Sequence, residues 1–361
     1  MSTRRRITFD QSGHCNACQW KYKKDNLDWN VRENKLKSLL DKHRSSDGSF
    51  DCVVPVSGGK DGSYVAYNLK NKYGMNPLCV TVTPPLQLEI GKKNIESFIN
   101  SGYTLISVDA NPETMQFFNK KGFIEIGFPY YGWLTAIQTI PPTIALNFGI
   151  NLIFYGEDGE VEYGGSTETA ENPIYNFKYM REIYLENQSY KSFQTMFEEA
   201  NKMELRDINL FQFPEEKNDS NLEITHWSYF ENWDPYRNYL IAKEFCGLEE
   251  NDNVNEGTFT NFAQNDQSLY ALHTYLMFLK YGFGRANQDA CIEIRRGALS
   301  REQGINLVKL YDGIFPEQFL DLYLDYYQMS KNDFLGVLDS WANKNILKKI
   351  NNKWVLKMEI T

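Results

Sequence analysis

Seven residues, Ser57-Gly58-Gly59-Lys60-Asp61-Gly62-Ser63, stand directly after an apolar run at residues 50–56, and a segment with one apolar face (Tyr64, Val65, Tyr67, Leu69) follows them. Val53, Val54 and Val56 read as a buried strand and the segment after Asp61 as a helix. A glycine pair between a strand and a helix lets the backbone approach a ligand and turn successive amides toward an anion. The helix then presents its positive end to the same anion. Ser57 and Ser63 are hydroxyl donors, Lys60 offsets phosphate charge, and Asp61 is a magnesium ligand in this reading. A Walker A loop is excluded, because its lysine precedes Ser or Thr and here it precedes aspartate.

Strand-like and helix-like segments alternate beyond the loop. Residues 77–83 are apolar and β-branched and predict a second buried strand, and residues 103–108 a third. Helices are predicted at 92–100, 112–120 and 133–148, and a fourth strand at 151–155. This alternation predicts an α/β fold with a parallel sheet covered by helices on both faces. Ligands of such sheets gather outside the carboxyl ends of the strands, where both the glycine loop and the run from Gly156 to Glu160 fall. The division expected is an N-terminal segment with a Cys-x-x-Cys pair (1–45), a nucleotide-binding core (46–165) and a mainly helical substrate or partner region (166–361). Within the last, helices are predicted at 268–280, 301–310, 315–327 and 331–344.

Residues 155–166 place four carboxylates and several glycines just past a strand. Magnesium favours one or two carboxylates together with phosphate oxygens; Glu157 and Asp158 are the candidates to join Asp61, and Asp158 is the metal ligand preferred. Lys60, Asp61, Glu157 and Asp158 form the candidate catalytic set. Tyr130, Tyr131 and Trp133 open a predicted helix, where aromatic faces stack on a sugar or base or simply pack in a core. Arg285 follows an amphipathic helix and suits a phosphate or carboxylate; with Glu160 these residues make up the candidate substrate contacts. His273 reads as a packing histidine. Trp227, Trp233, Asp234, Tyr236 and Arg237 read first as core.

The formal net charge of −9 over 361 residues argues against a chain that coats nucleic acid; Arg295, Arg296 and Arg301 are the best local basic cluster. No run of 18 apolar residues is present, so no membrane partner is expected, and the chain reads as cytoplasmic. Six scattered cysteines suit reduced thiols. Cys52 and Cys79 read as core. Cys15 and Cys18 have the spacing of a zinc half-site, although a structural zinc takes four ligands.

Taken together, SGGKDGS, GFPYYGW, FYGEDGEVEYGGS and KYGFGRANQDACIEIRRGALSREQ resemble the N-acetyl sugar amidotransferases (WbpG/PseA type) of bacterial surface-polysaccharide synthesis, within the PP-loop ATP pyrophosphatases. The PP-loop of that superfamily is SGGxDS, and this chain carries the additional Gly62. The resemblance runs from about residue 15 to about residue 311. It implies an adenine nucleotide alpha hydrolase-like fold and the cofactors ATP and Mg2+. The nucleotide set it implies is Ser57, Gly58, Gly59, Lys60, Asp61, Gly62 and Ser63, with Val82 and Gly156 at strand ends. It further implies AMP transfer to the acetamido oxygen of an N-acetylated sugar, then displacement by ammonia to leave an acetamidino sugar. Ammonia would come from a separate glutaminase with a channel subunit, HisH/HisF-like, and a homo-oligomer is compatible with it. Relatives carry a second Cys-x-x-Cys nearer the N-terminus; here Met-Ser-Thr-Arg-Arg-Arg stands there, which bears against Zn2+ at Cys15 and Cys18. A tRNA thiolase or another AMP-forming amide synthetase would share the same loop.

Overall fold

The computed structural model describes residues 2–214 and 221–360. Six strands form one sheet: β1 (Cys52–Pro55), β2 (Pro77–Val82), β3 (Leu105–Val108), β4 (Leu152–Tyr155), β5 (Ile174–Tyr175) and β6 (Glu223–His226). Their spatial order is β3-β2-β1-β4-β6-β5. All neighbours are parallel except β5 with β6. The chain thus builds outward from β1 through β2 to β3, then returns to the other side of β1 with β4. A crevice opens where the direction reverses, outside the carboxyl ends of β1 and β4, and in such folds it is the ligand site.

Alternation along the strands divides the interior into two layers. Val53, Leu78, Val80, Ile153 and Ile224 face a core shared with the helices Pro112–Lys121, Tyr131–Asn147 and Leu269–Tyr281. Cys52, Val54, Cys79, Leu152 and Phe154 face the other, with Leu36 and Leu40 of the helix Trp29–His43, Val65 and Phe98. Both layers are covered, which is why β1 and β2 read as continuous apolar runs rather than alternating ones. Cys52 and Cys79 are core thiols, as expected.

Helix Tyr131–Asn147 carries Pro141 and Pro142 in its interior. A proline removes the bond that would run to the carbonyl four residues earlier. For Pro141 that carbonyl is Ile137, and it accepts instead from the Tyr155 hydroxyl at 3.3 Å. The end of β4 thereby compensates a defect in the helix packed on it.

Several elements depart from the sequence expectation. The sheet does not stop near residue 165: β5 and β6, about fifty residues apart in part-polar sequence, extend it. The N-terminal segment forms two helices, Asn16–Asp25 and Trp29–His43, and the C-terminal part ends in a hairpin, β7 (Leu347–Ile350) with β8 (Lys353–Leu356). The helix predicted at 315–327 is a short 3-10 turn, Glu317–Phe319, followed by Leu320–Tyr327. One core runs from Val53 to Leu347, so the later helices pack on the same sheet as the earlier ones.

Phe118 is fully buried and its ring lies 4.8–5.0 Å from those of Phe193, Phe197 and Phe211. Phe118→Ala should therefore destabilise the fold by about 3–5 kcal/mol. Urea unfolding reads this as a lower midpoint at unchanged slope.

Candidate functional site

β1 ends at Pro55, and the helix Lys60–Tyr67 starts five residues beyond it with Gly59 at its N-cap. No side chain caps this helix, so its first amides are left for a ligand. Gly58 has φ +75°, and a Cβ there would stand 2.7 Å from the Ile95 amide nitrogen. Gly62 lies equally close to β1, with a notional Cβ 2.7 Å from the Pro55 carbonyl oxygen. These two glycines press the loop between its own strand and the helix Glu89–Asn100. Ser63 is fully buried and its hydroxyl has no protein partner.

The loop faces a cavity of about 190 Å³ whose wall includes Ser57, Gly59, Lys60, Asp61, Gly62 and Glu157. Lys60 and Asp61 form an ion pair. Asn238 donates to Asp61 at 3.3 Å. Gly156, at the end of β4, lets Asp61 pack over it: a Cβ there would meet the Asp61 Cβ at 3.1 Å. Glu157 accepts from the Tyr163 hydroxyl at 3.0 Å. Burial, and next the Asp61 charge, raise its carboxyl from the usual range to about 7. Arg285 reaches the same wall from the N-terminus of the helix Arg285–Arg296 and is held by Asp289 at 2.8 Å. The structure therefore brings the glycine loop, Glu157 and Arg285 together from positions over 220 residues apart.

Two further cavities adjoin this one. The first, about 320 Å³, is rich in amides, among them Asn251, Asn255, Asn265 and Gln267, and shares Gln264, Asn265 and Tyr270 with the central cavity. The second, about 290 Å³, has an aromatic and aliphatic wall (Tyr236, Phe259, Ile292) with Arg296. It shares Lys60, Phe262, Ala263 and Arg285 with the central cavity.

Other predicted residues lie elsewhere. Asp158 is buried and away from the central cavity. Its Oδ1 caps the helix Gly159–Tyr163 through Glu160 and Val161 amides at 3.0 and 3.3 Å and accepts from the Tyr184 hydroxyl at 2.9 Å; its Oδ2 accepts from Thr169. Both oxygens are thus engaged by protein donors, and Glu157 is the carboxylate beside Asp61. His226 backs this network, 3.0 Å from the Tyr184 hydroxyl, and burial lowers its pKa to about 4. Glu160 is bound by Arg6 at 2.8 Å and by the Ser166 amide at 2.8 Å, which ties the N-terminus to the loop after β4 rather than placing a carboxylate in the cavity.

The expected aromatic platform is core. Tyr131 donates to the Leu185 carbonyl at 2.5 Å and Trp133 to that of Val82 at 3.0 Å, and Tyr130 packs between Phe128, Tyr270 and His273. Their closeness to a glycine-opened helix suggested a ligand surface; burial on every side overrides it. Val82 itself is buried at the end of β2. His273 packs as read, and burial lowers its pKa to about 3. Trp227 and Trp233 are core, and Asp234 caps the helix Pro235–Cys246. Arg295 donates to the Glu162 carbonyl at 3.4 Å and Arg296 pairs with Glu293 and Asp234, so these two serve local packing.

The fit of the implied metals differs between the two sites. Asp61 and Glu157 share a cavity with the glycine loop, the donor set magnesium takes when phosphate and water complete its shell. The Cys15 and Cys18 sulfurs lie 3.6 Å apart, but among the described residues no third His, Cys, Asp or Glu joins them in a metal-binding group. That pair does not fit a structural zinc.

Residues that sequence reading missed include Asp266, Asn94 and Tyr270, all on the central cavity wall. They lie in a loop and helices without any motif, and only tertiary contact reveals them.

Two measurements follow from this geometry. Gly58→Ala forces a side chain into the left-handed region and onto a backbone amide; it should lower the melting temperature, read by circular dichroism. Glu157 has a folded pKa above its unfolded value, so the native state holds more protons between about pH 4.5 and 7 and stability is lost as pH rises through that window. Glu157→Gln should therefore raise the melting temperature at pH 8 more than at pH 5.

No curated protein matches the chain. Residues 256–360, which carry Arg285 and much of the amide-rich wall, match the family model described as LPS biosynthesis protein WbpG-like, C-terminal domain. Over those residues the chain is similar to the WbpG-like C-terminal domain.

Proposed function

We propose that the protein is an ATP-dependent amidotransferase that converts the acetamido group of a sugar to an acetamidino group during lipopolysaccharide or related surface-glycan biosynthesis. The observation that carries this reading is the conjunction of an uncapped, glycine-built anion cradle at the sheet's reversal point with Asp61, Glu157, Lys60 and Arg285 around one cavity. The biosynthetic setting rests on the name of the matched C-terminal family.

An amide is a weak electrophile, so its oxygen must become a leaving group before ammonia can displace it. In the proposed reaction the amide oxygen attacks the α-phosphorus of ATP and pyrophosphate departs. The amides of the loop and the Ser57 and Ser63 hydroxyls hold pyrophosphate, and Lys60 offsets charge as it builds. Magnesium, when bound by Asp61 and Glu157, would neutralise phosphate charge. Arg285, held in place by Asp289, orients an anionic oxygen by its planar fork. The amide-rich cavity offers hydrogen-bonding partners for the nucleoside. The cavity beyond Lys60 offers room for the acceptor, with Tyr236 and Phe262 to cover its apolar faces. Positioning of two substrates across a shared wall is the main catalytic demand. Ammonia is expected from a partner glutaminase.

Incubation with ATP, magnesium, an ammonium salt and a panel of N-acetylated nucleotide sugars and nonulosonic acids tests the reading by mass spectrometry. The expected product is lighter than its substrate by about one dalton, with AMP and pyrophosphate formed in step and all three lost in Asp61→Ala. AMP formation without any change in the sugar would move the acceptor to another class, a thiolase or amide synthetase among them.

A further inference from the structure

Asp266 is a buried carboxylate that the proposed chemistry has not used. It lies on the wall of the central cavity with Ser57, Lys60, Asp61, Glu157 and Arg285. It is 6% exposed, and its Oδ2 has no hydrogen-bond partner. A buried acceptor left unpaired loses its hydration without compensation, so its retention in a polar cavity points to a ligand that completes it.

Its position is fixed by backbone. The Leu88 amide donates to the Asp266 carbonyl at 2.8 Å, the Ser268 amide to that of Leu86 at 3.1 Å, and Gln87 bridges Gln267. Helix Glu89–Asn100 meets the residue so closely that a Cβ on Gly91 would stand 2.6 Å from the Asp266 Cα. The segment is clamped to the chain that leaves β2 and cannot swing to find a partner.

The ionisable groups around it are of both signs. Tyr130 and Tyr270 lie close enough to sense its charge, and their hydroxyls are pushed up by burial and then by Asp266, with Arg285 acting in the opposite sense. Lys60, Asp61, Glu157 and Arg285 stand on the same cavity wall, but no ion pair to Asp266 occurs among the described residues. Burial raises its carboxyl to about 7. A small cation able to donate a hydrogen bond satisfies an unpaired carboxylate oxygen in this setting, and ammonium is such a cation.

We infer that Asp266 binds the ammonium ion and accepts one of its protons, releasing ammonia toward the activated carbon. This rests on the amidotransferase reading above. The N–H bond breaks and its proton becomes the O–H of Asp266; the nitrogen lone pair forms the C–N bond as the C–O bond to AMP breaks, with that electron pair leaving on AMP. The amidinium product carries three N–H protons, two from ammonia and one from the original amide nitrogen; the third ammonia proton leaves to water, and Asp266 returns its own proton to solvent. A base whose pKa lies near the working pH suits this transfer.

The test uses Asp266→Asn, which retains shape, with its melting temperature compared to wild type. Isotope-edited infrared spectra give the titration of the Asp266 carboxyl as the band lost in the variant. Ammonium chloride should displace that titration toward lower pH, and tetramethylammonium chloride should not. In turnover, the variant should need at least tenfold more ammonium for half-maximal rate and lose the pH dependence centred near neutrality, while still exchanging pyrophosphate into ATP with acceptor present. An infrared titration indifferent to ammonium would overturn the assignment, as would unchanged ammonium dependence. Loss of exchange together with turnover would also overturn it, placing Asp266 in adenylation. If wild type shows no exchange with any acceptor, the amidotransferase reading fails by itself, and the infrared measurement still decides ammonium binding.

Discussion

The parallel pairing of β1 with β4 across Val53 and Ile153 is the constraint on which the rest of the structure depends. It places two strands that are about one hundred residues apart side by side at the point where the sheet reverses its growth. The carboxyl end of each then opens into the same crevice. The glycine loop comes from one strand and Glu157 from the other. Without this pairing the loop would be an anion cradle with no carboxylate beside Asp61.

The contacts that hold the crevice are backbone contacts made possible by missing side chains. Gly58 abuts the helix Glu89–Asn100, Gly62 abuts β1, Gly91 abuts Asp266 and Gly156 lies under Asp61. Each lets a functional segment come nearer to its support than any other residue would permit. The loop is thus set by steric fit on several sides. A loop held in this way has its amides fixed before any ligand arrives, the preorganisation the proposed chemistry requires.

The acidic groups near the crevice are separated by environment. Asp158 is engaged at both oxygens and binds the loop after β4 to Tyr184 and Thr169. Glu157, one residue earlier, stands beside Asp61, and burial with the Asp61 charge holds its carboxyl well above the usual range. Two adjacent carboxylates therefore have different surroundings, because the turn after β4 puts Glu157 on the cavity wall and Asp158 in a hydrogen-bonded network. The N-terminal arginines complete the arrangement: Arg6 and Arg4 hold Glu160, so the start of the chain secures the same loop.

Sequence alone determined the sheet-forming half of the fold. The apolar runs at 52–56 and 77–82, both buried on two faces, could be little other than central parallel strands, and the glycine loop could only sit at the end of one. The same loop carried the expectation of an anion cradle, since the features behind it are local: glycine freedom, a helix start, one lysine and one aspartate. Tertiary structure alone decided the rest. Strand β6 and the two N-terminal helices lie in mixed polar sequence whose period is weak, and they form because the existing sheet edge and core complete them. Whether Glu157 or Asp158 faces the cavity depends on a single turn. The burial of Tyr130, Tyr131 and Trp133 depends on helices more than 50 residues away. The closure of the site by Asp266 and Arg285 comes from a region over 200 residues downstream, which local periodicity does not report because the contacts are between elements rather than within them.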